Sequence, residues 1–168
     1  MPTAVKKTFD DKLSLSNRNL QKILTFYLFE CPVPDKSFRG NKFIDYGIRG
    51  SASFGKLKQK LLTKASPSLK VNYKPCKITD INTELTAIRA RVSSSDEYCV
   101  FHMYSEKIVM ESLFSLIRNS FAHGSFRAST VGKQRFFFLT NIHDGVKAEM
   151  VLREQTLLEW IDCIKSFP

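Results

Sequence analysis

The sequence is 168 residues long, 43% hydrophobic and 25% charged, the size and composition of one globular domain with its own core. No apolar run is long enough to span a bilayer, and no apolar stretch follows the positive charges of MPTAVKKTFDDK, so the expectation is a cytoplasmic chain without a leader or a membrane partner. The net charge of +10 sits in residues 36–78, where eleven basic residues face one acid, Asp45, while the rest of the chain is neutral. Such an excess either attracts a polyanion, whose condensed counterions are released on binding, or forms a solvated lysine surface.

Residues 1–13 read as a loose arm of a single domain. Ser16 can cap a helix starting near Asn17, with Leu20, Ile23, Leu24, Tyr27 and Leu28 at helical spacing, and Pro32 and Pro34 stop it. Gly40, Gly47, Gly50 and Gly55 predict loops or turns. A lysine-rich helix is expected from about Ser53 to Lys64, with Phe54, Leu57, Leu61 and Leu62 inward. The segment ASPSLKVNYKPCK reads as a connector. Thr79 or Asp80 can cap a further helix carrying Ile81, Leu85 and Ile88 inward.

The stretch SSSDEYCVFHMY is compatible with a helix, through the capping-box spacing of Ser94 and Glu97, or with a short strand. From Ser105 the helical signal is strong, and Gly124 is placed to end that helix in a left-handed conformation. KQRFFFLTNIHDGVKAEMVLRE predicts two strands around a turn at Asp144-Gly145. EQTLLEWIDCIKSF closes the chain as an amphipathic helix.

Three groups of residues are candidates for chemistry. GSASFGKL, residues 50–57, nearly matches the phosphate-loop pattern, but Leu57 stands where a magnesium-binding hydroxyl is needed, so it reads as a glycine loop before a basic helix. Cys31, Cys76, Cys99 and Cys163 form no C-x-x-C pair and have no histidine at ligand spacing, which predicts buried thiols and no metal or cofactor. His102 reads as a core histidine or one near the motif described next. His143 reads as an exposed residue of the hairpin turn. Neither is assigned a catalytic role.

The third group is LFSLIRNSFAHGSF. Asn119 and His123 are four residues apart, about 40° around a helix, and the long side chain of Arg118 can swing toward the same face. Arg offers a planar fork of donors to a phosphate, and His can take and give a proton near neutrality. Together with an amide they form a minimal set for cleaving RNA through its own 2′-hydroxyl. The plain alternative is a helix C-terminus whose dipole favours basic residues.

The string LIRNSFAHGSF resembles the signature of the HEPN superfamily (higher eukaryotes and prokaryotes nucleotide-binding domains), whose R-x4–6-H motif usually has a polar residue directly after the Arg. Leu116, Ile117, Ala122, Gly124, Ser125 and Phe126 are similar to a bacterial subgroup in which an RN-x-x-AHGSF helix precedes a β-hairpin and a terminal helix. The resemblance implies a mainly α fold, a helical bundle with a C-terminal hairpin and terminal helix. It implies a metal-independent endoribonuclease with Arg118 as phosphate clamp, Asn119 as positioning residue and His123 as general acid/base. Such proteins are commonly homodimers in which two motifs face each other in one composite site, and some serve only as RNA-binding or regulatory modules. They occur in toxin–antitoxin and phage-defence systems, so a cognate antitoxin or regulatory partner is expected. Arg49, Lys56, Lys58, Lys60 and Lys64 are the expected contacts to the RNA backbone.

Overall fold

The computed structural model describes residues 9–33, 35 and 39–168. Residues 1–8 of the expected arm, the expected breaker Pro34 and Lys36 of the basic segment lie outside that range. Helix α1 (Arg18–Thr25) is capped by Asn17, whose side chain accepts from Leu20 N at 3.0 Å, and it runs on through a π-helical turn at Phe26–Glu30. The cap therefore falls one residue later than Ser16. A 3-10 turn (Phe43–Tyr46) leads into α2 (Gly50–Lys64), and α3 (Pro67–Asn72) follows. Then come β1 (Tyr73–Cys76), α4 (Ile81–Arg89), β2 (Tyr98–His102) and α5 (Val109–Ala122). Strands β3 (Phe126–Val131), β4 (Gln134–Ile142) and β5 (Val146–Arg153) precede the last helix, α6 (Glu154–Lys165).

The five strands form one sheet in the order β1-β2-β5-β4-β3, with β1 parallel to β2 and the other neighbours antiparallel. This overturns the expected mainly α bundle: the fold is α/β, built around a mixed sheet. The physical reason is coverage of both faces. Cys99, Phe101, Phe137, Leu139, Ala148, Met150 and Leu152 join the core shared with α1, α2, α5 and α6. Tyr98, Val100, Phe136 and Val151 pack instead with Ile81, Leu85 and Ile88 of α4. Strands buried on both faces lose the apolar–polar alternation that marks a half-exposed strand. The expected connector thus holds a strand, with Pro75 tolerated because β1 is a sheet edge.

The opposite edge, β3, is covered in part by residues expected to be loose. Asp11 N donates to Ala128 O at 3.0 Å, Thr130 Oγ1 donates to Asp11 Oδ2 at 2.6 Å, and the Phe9 ring lies 5.1 Å from that of Phe138. Pairing with this segment uses edge groups that would otherwise face water.

One buried carboxylate joins four elements. Glu97, fully buried, accepts from Ser66 N at 2.9 Å, Arg153 N at 2.8 Å, Arg153 Nε at 3.0 Å and Thr156 Oγ1 at 3.0 Å. It stands at the starts of α3 and α6, where orphan backbone N–H groups and the helix dipole favour a negative charge. Trp160 locks α6 to α2 through Nε1 donating to Leu61 O at 2.9 Å. Ser94 and Glu97 therefore form no capping box, and the ambiguous segment resolves into a turn and β2.

Candidate functional site

Helix α5 runs through the middle of the molecule and is buried along nearly its whole length; Leu113, Phe114, Leu116, Ile117 and Phe121 are all core residues. A helix so enclosed can offer polar groups only where it surfaces, and α5 surfaces at its C-terminus. There Asn119 is buried, Arg118 half-buried and His123 exposed. The helix ends as the sequence predicts. Gly124 adopts φ +67°, Ser125 N donates to Ser120 O at 2.8 Å, and Gly124 N donates to Phe121 O at 3.2 Å. These are the paired bonds of a Schellman stop, and they turn the chain sharply out of the helix just past His123.

The stop feeds directly into β3, and β4 returns antiparallel to it, with Phe126 opposite Leu139. The antiparallel track continues past the paired strands: Thr140 N donates to Ser125 O at 3.0 Å, and Ser120 Oγ donates to Thr140 O at 2.8 Å. The end of β4 is thereby held against the last turn of α5. Beyond it, residues 143–145 form the predicted turn, with Asp144 at φ 51° and Gly145 at φ 95°. The ladder then shifts register, pairing Asn141 with Ala148 but Ile142 with Val146, so Lys147 is bulged out without a cross-strand partner. Bulges commonly re-aim a side chain beside a site.

Between the helix end and the hairpin lies an open cleft of about 720 Å³. Arg118, Asn119 and His123 line it from the end of α5, and His143 and Lys147 from the hairpin; Tyr104 and Asp35 line it too. Arg118 Nη1 donates to Asn119 Oδ1 at 3.3 Å, while Arg118 Nε is buried without a hydrogen-bond partner. The guanidinium also reaches the environment of Cys31, whose thiol burial pushes well up and Arg118 pulls partly back. His143 Nε2 lies 3.7 Å from Asp144 Oδ2, both side chains being largely in solvent. His102 ends β2 with its ring 4.8 Å from the Tyr104 ring and its Nδ1 buried without a partner. It lines a neighbouring groove rather than the cleft.

The structure therefore brings the three motif residues together and leaves the expected lysine set elsewhere. Arg49 is exposed just before α2. Lys56, Lys60 and Lys64 line a groove between α2 and α6, where Lys64 Nζ is 3.9 Å from Glu159 Oε2. Lys58 points away from that groove, its Nζ 5.7 Å from the Tyr73 ring. None of the five lines the Arg118 cleft. The glycine loop expected before the basic helix is absent, because residues 50–57 are already helical. Sequence reasoning missed Tyr104, Lys147 and the place of His143. The usable signal for His143 was a second turn at Gly132-Lys133, which sends β4 back to the end of α5.

All four cysteines are free, with Cys31, Cys76 and Cys99 buried and Cys163 half-buried. Among the described residues no group of three His, Cys, Asp or Glu side chains could hold a metal ion, and no helix is long and apolar enough to cross a membrane. No family model, curated protein or solved structure matches the chain.

Proposed function

We propose that the chain is an endoribonuclease of HEPN type that cleaves RNA through its own 2′-hydroxyl and needs no metal. The observation that carries this reading is the convergence of Arg118, Asn119 and His123 on one open cleft at the surfacing end of an otherwise buried helix. Arg118 clamps the scissile phosphate, Asn119 holds Arg118, and the exposed His123 transfers the proton. A hairpin, β4–β5, and a terminal helix follow the motif, as the resemblance implies, but they belong to a five-stranded sheet that it does not imply. The chain acts in the cytoplasm as a homodimeric toxin or phage-defence effector restrained by a cognate antitoxin or regulatory partner.

The test is incubation of RNA with the purified chain in EDTA. The expected result is 2′,3′-cyclic phosphate or 3′-phosphate ends on one fragment and 5′-hydroxyl ends on the other, abolished in His123→Ala. Full activity in that variant overturns the assignment.

The position of the lysines favours a second reading, an RNA-binding or regulatory module without turnover. Lys56, Lys60 and Lys64 form a basic surface apart from the cleft, so affinity and cleavage are separable. Salt-sensitive RNA binding with no cleavage over hours selects it.

A further inference from the structure

We infer that the β4–β5 hairpin completes the site within a single chain, with His143 as its second proton-transfer group and Lys147 as its second phosphate contact. This rests on the ribonuclease reading. Cleavage by 2′-hydroxyl attack moves two protons on opposite sides of the phosphorus, one off the nucleophile and one onto the leaving oxygen. A single imidazole cannot do both in one transition state, so a second acid/base group adds to the rate where solvent would otherwise protonate the leaving oxygen. Facing motifs in a dimer would supply one in trans. The fold supplies one in cis, because His123 and His143 line the same cleft from different elements.

Three features fix the hairpin in that place. The Ser120–Thr140 and Thr140–Ser125 hydrogen bonds pin the end of β4 to the end of α5. The tight turn at Asp144-Gly145 limits how far His143 can stray. The register shift bulges Lys147 out of the ladder at the cleft wall, so that Lys147 and Arg118 present two cations to one anion.

The step balances as follows. His123 takes the proton of the 2′-hydroxyl, the 2′-oxygen bonds to phosphorus, and the P–O5′ bond breaks. His143 gives its proton to O5′, leaving a 2′,3′-cyclic phosphate on one fragment and a 5′-hydroxyl on the other. Proton exchange with water resets both rings. His123, beside Arg118 and Asn119 at the end of α5, is assigned the base role, and His143, which lines the same cleft from the hairpin, the acid role. The other ionisable groups facing the cleft are Asp35, Tyr104, Arg118, His123 and Lys147.

The experiment measures single-turnover cleavage of a short single-stranded RNA in EDTA from pH 5 to 9 by the wild type, His123→Ala, His143→Ala and Lys147→Met. The wild type is expected to give a bell-shaped profile. His143→Ala should lose about 100-fold in rate and the alkaline limb of the bell, with an unchanged unfolding midpoint. An RNA with sulfur in place of the scissile O5′, whose leaving group needs no proton, should restore the rate of His143→Ala but not of His123→Ala. Lys147→Met should lower the salt dependence of RNA binding by about one unit of log–log slope. A wild-type rate and profile in His143→Ala overturns the inference and leaves the ribonuclease reading standing. Activity restored by mixing His123→Ala with His143→Ala overturns the single-chain assignment, because the hairpin then serves a partner's cleft. No cleavage by the wild type overturns the ribonuclease reading and the role of His143 with it.

Discussion

Ser120 Oγ lies 2.8 Å from the carbonyl oxygen of Thr140, and this hydrogen bond ties the last turn of α5 to the strand that leads to His143. The same hydroxyl is 3.0 Å from Leu116 O within its own helix, so it is shared between helix and strand. Ser120→Ala removes a buried donor and leaves both carbonyls short of it. The expected loss is about 1–2 kcal/mol of stability, seen as a lower urea midpoint with unchanged slope. Cleavage should fall by more than the folded fraction does, because the hairpin is freed relative to His123. Proportional losses would show that the bond serves stability alone.

Gly124 sits at φ +67°, and a Cβ built there meets nothing within 4 Å. Gly124→Ala therefore tests conformation rather than crowding. An L-residue in the left-handed region costs about 1–2 kcal/mol, with Asn tolerated better than Ala. Chemical denaturation of Gly124→Ala and Gly124→Asn should rank them in that order. Equal stability of all three proteins would show that the stop relaxes without its left-handed residue.

What was legible in the sequence follows from how far each signal reaches. The C-terminal end of α5, the turn at Asp144-Gly145 and α6 were readable because periodicity and turn chemistry act within a few residues, whereas α5 starts at Val109, later than the expected Ser105. The Arg118–Asn119–His123 cluster was readable for the same reason. Strands β4 and β5 were readable as a hairpin, but the five-stranded sheet was not: β2, buried on both faces, shows no alternation and stayed open between helix and strand, and β1 lay in the expected connector. Strand β3 was hidden differently: Arg127, Ser129 and Thr130 give it a polar look, and its role depends on pairing with β4. His143 reaches the cleft through that long-range register, for which the turn at Gly132-Lys133 was the local signal.

Glu97 should be among the most sensitive positions in the chain. Its carboxylate is fully buried and accepts from two backbone N–H groups, the Arg153 guanidinium and the Thr156 hydroxyl. Glu97→Ala leaves Arg153 and both helix starts unpaired, at an expected cost of about 3–5 kcal/mol. Glu97→Gln keeps the shape and part of the acceptor set, so it should lose less. Urea unfolding of the two variants measures the difference, and an alanine variant within 1 kcal/mol of wild type would exclude this role.

Cys76 carries a pH dependence of stability. Burial, followed by the nearby Glu84 and Asp80 carboxylates, pushes its thiol up to about 11. The unfolded chain releases that proton near pH 8.5, so the folded state binds more protons between the two values. The thiol's contribution is full below the unfolded value and is lost as pH rises through the folded one. Wild-type stability should fall between about pH 8.5 and 11, and Cys76→Ala should fall less steeply over that window whatever its stability at neutral pH. Parallel curves for the two proteins would remove Cys76 as the source.

Arg118 is the position at which charge and geometry can be separated. Its Nη1 is engaged by Asn119 Oδ1 at 3.3 Å and its Nε is buried without a partner. A guanidinium steered by an amide presents a planar fork to a phosphate, whereas a lysine at the same place offers a point charge. Arg118→Lys should therefore retain most of the RNA affinity but lose about 100-fold in cleavage rate, the scale set by removing one positioned donor to a developing anion. Asn119→Ala keeps the guanidinium and loses only its steering, so its rate should lie between those of wild type and Arg118→Lys. Rates measured beside binding constants decide the matter. If Arg118→Lys loses affinity and rate in equal proportion, Arg118 acts by charge alone and the fork geometry has no part in the transition state.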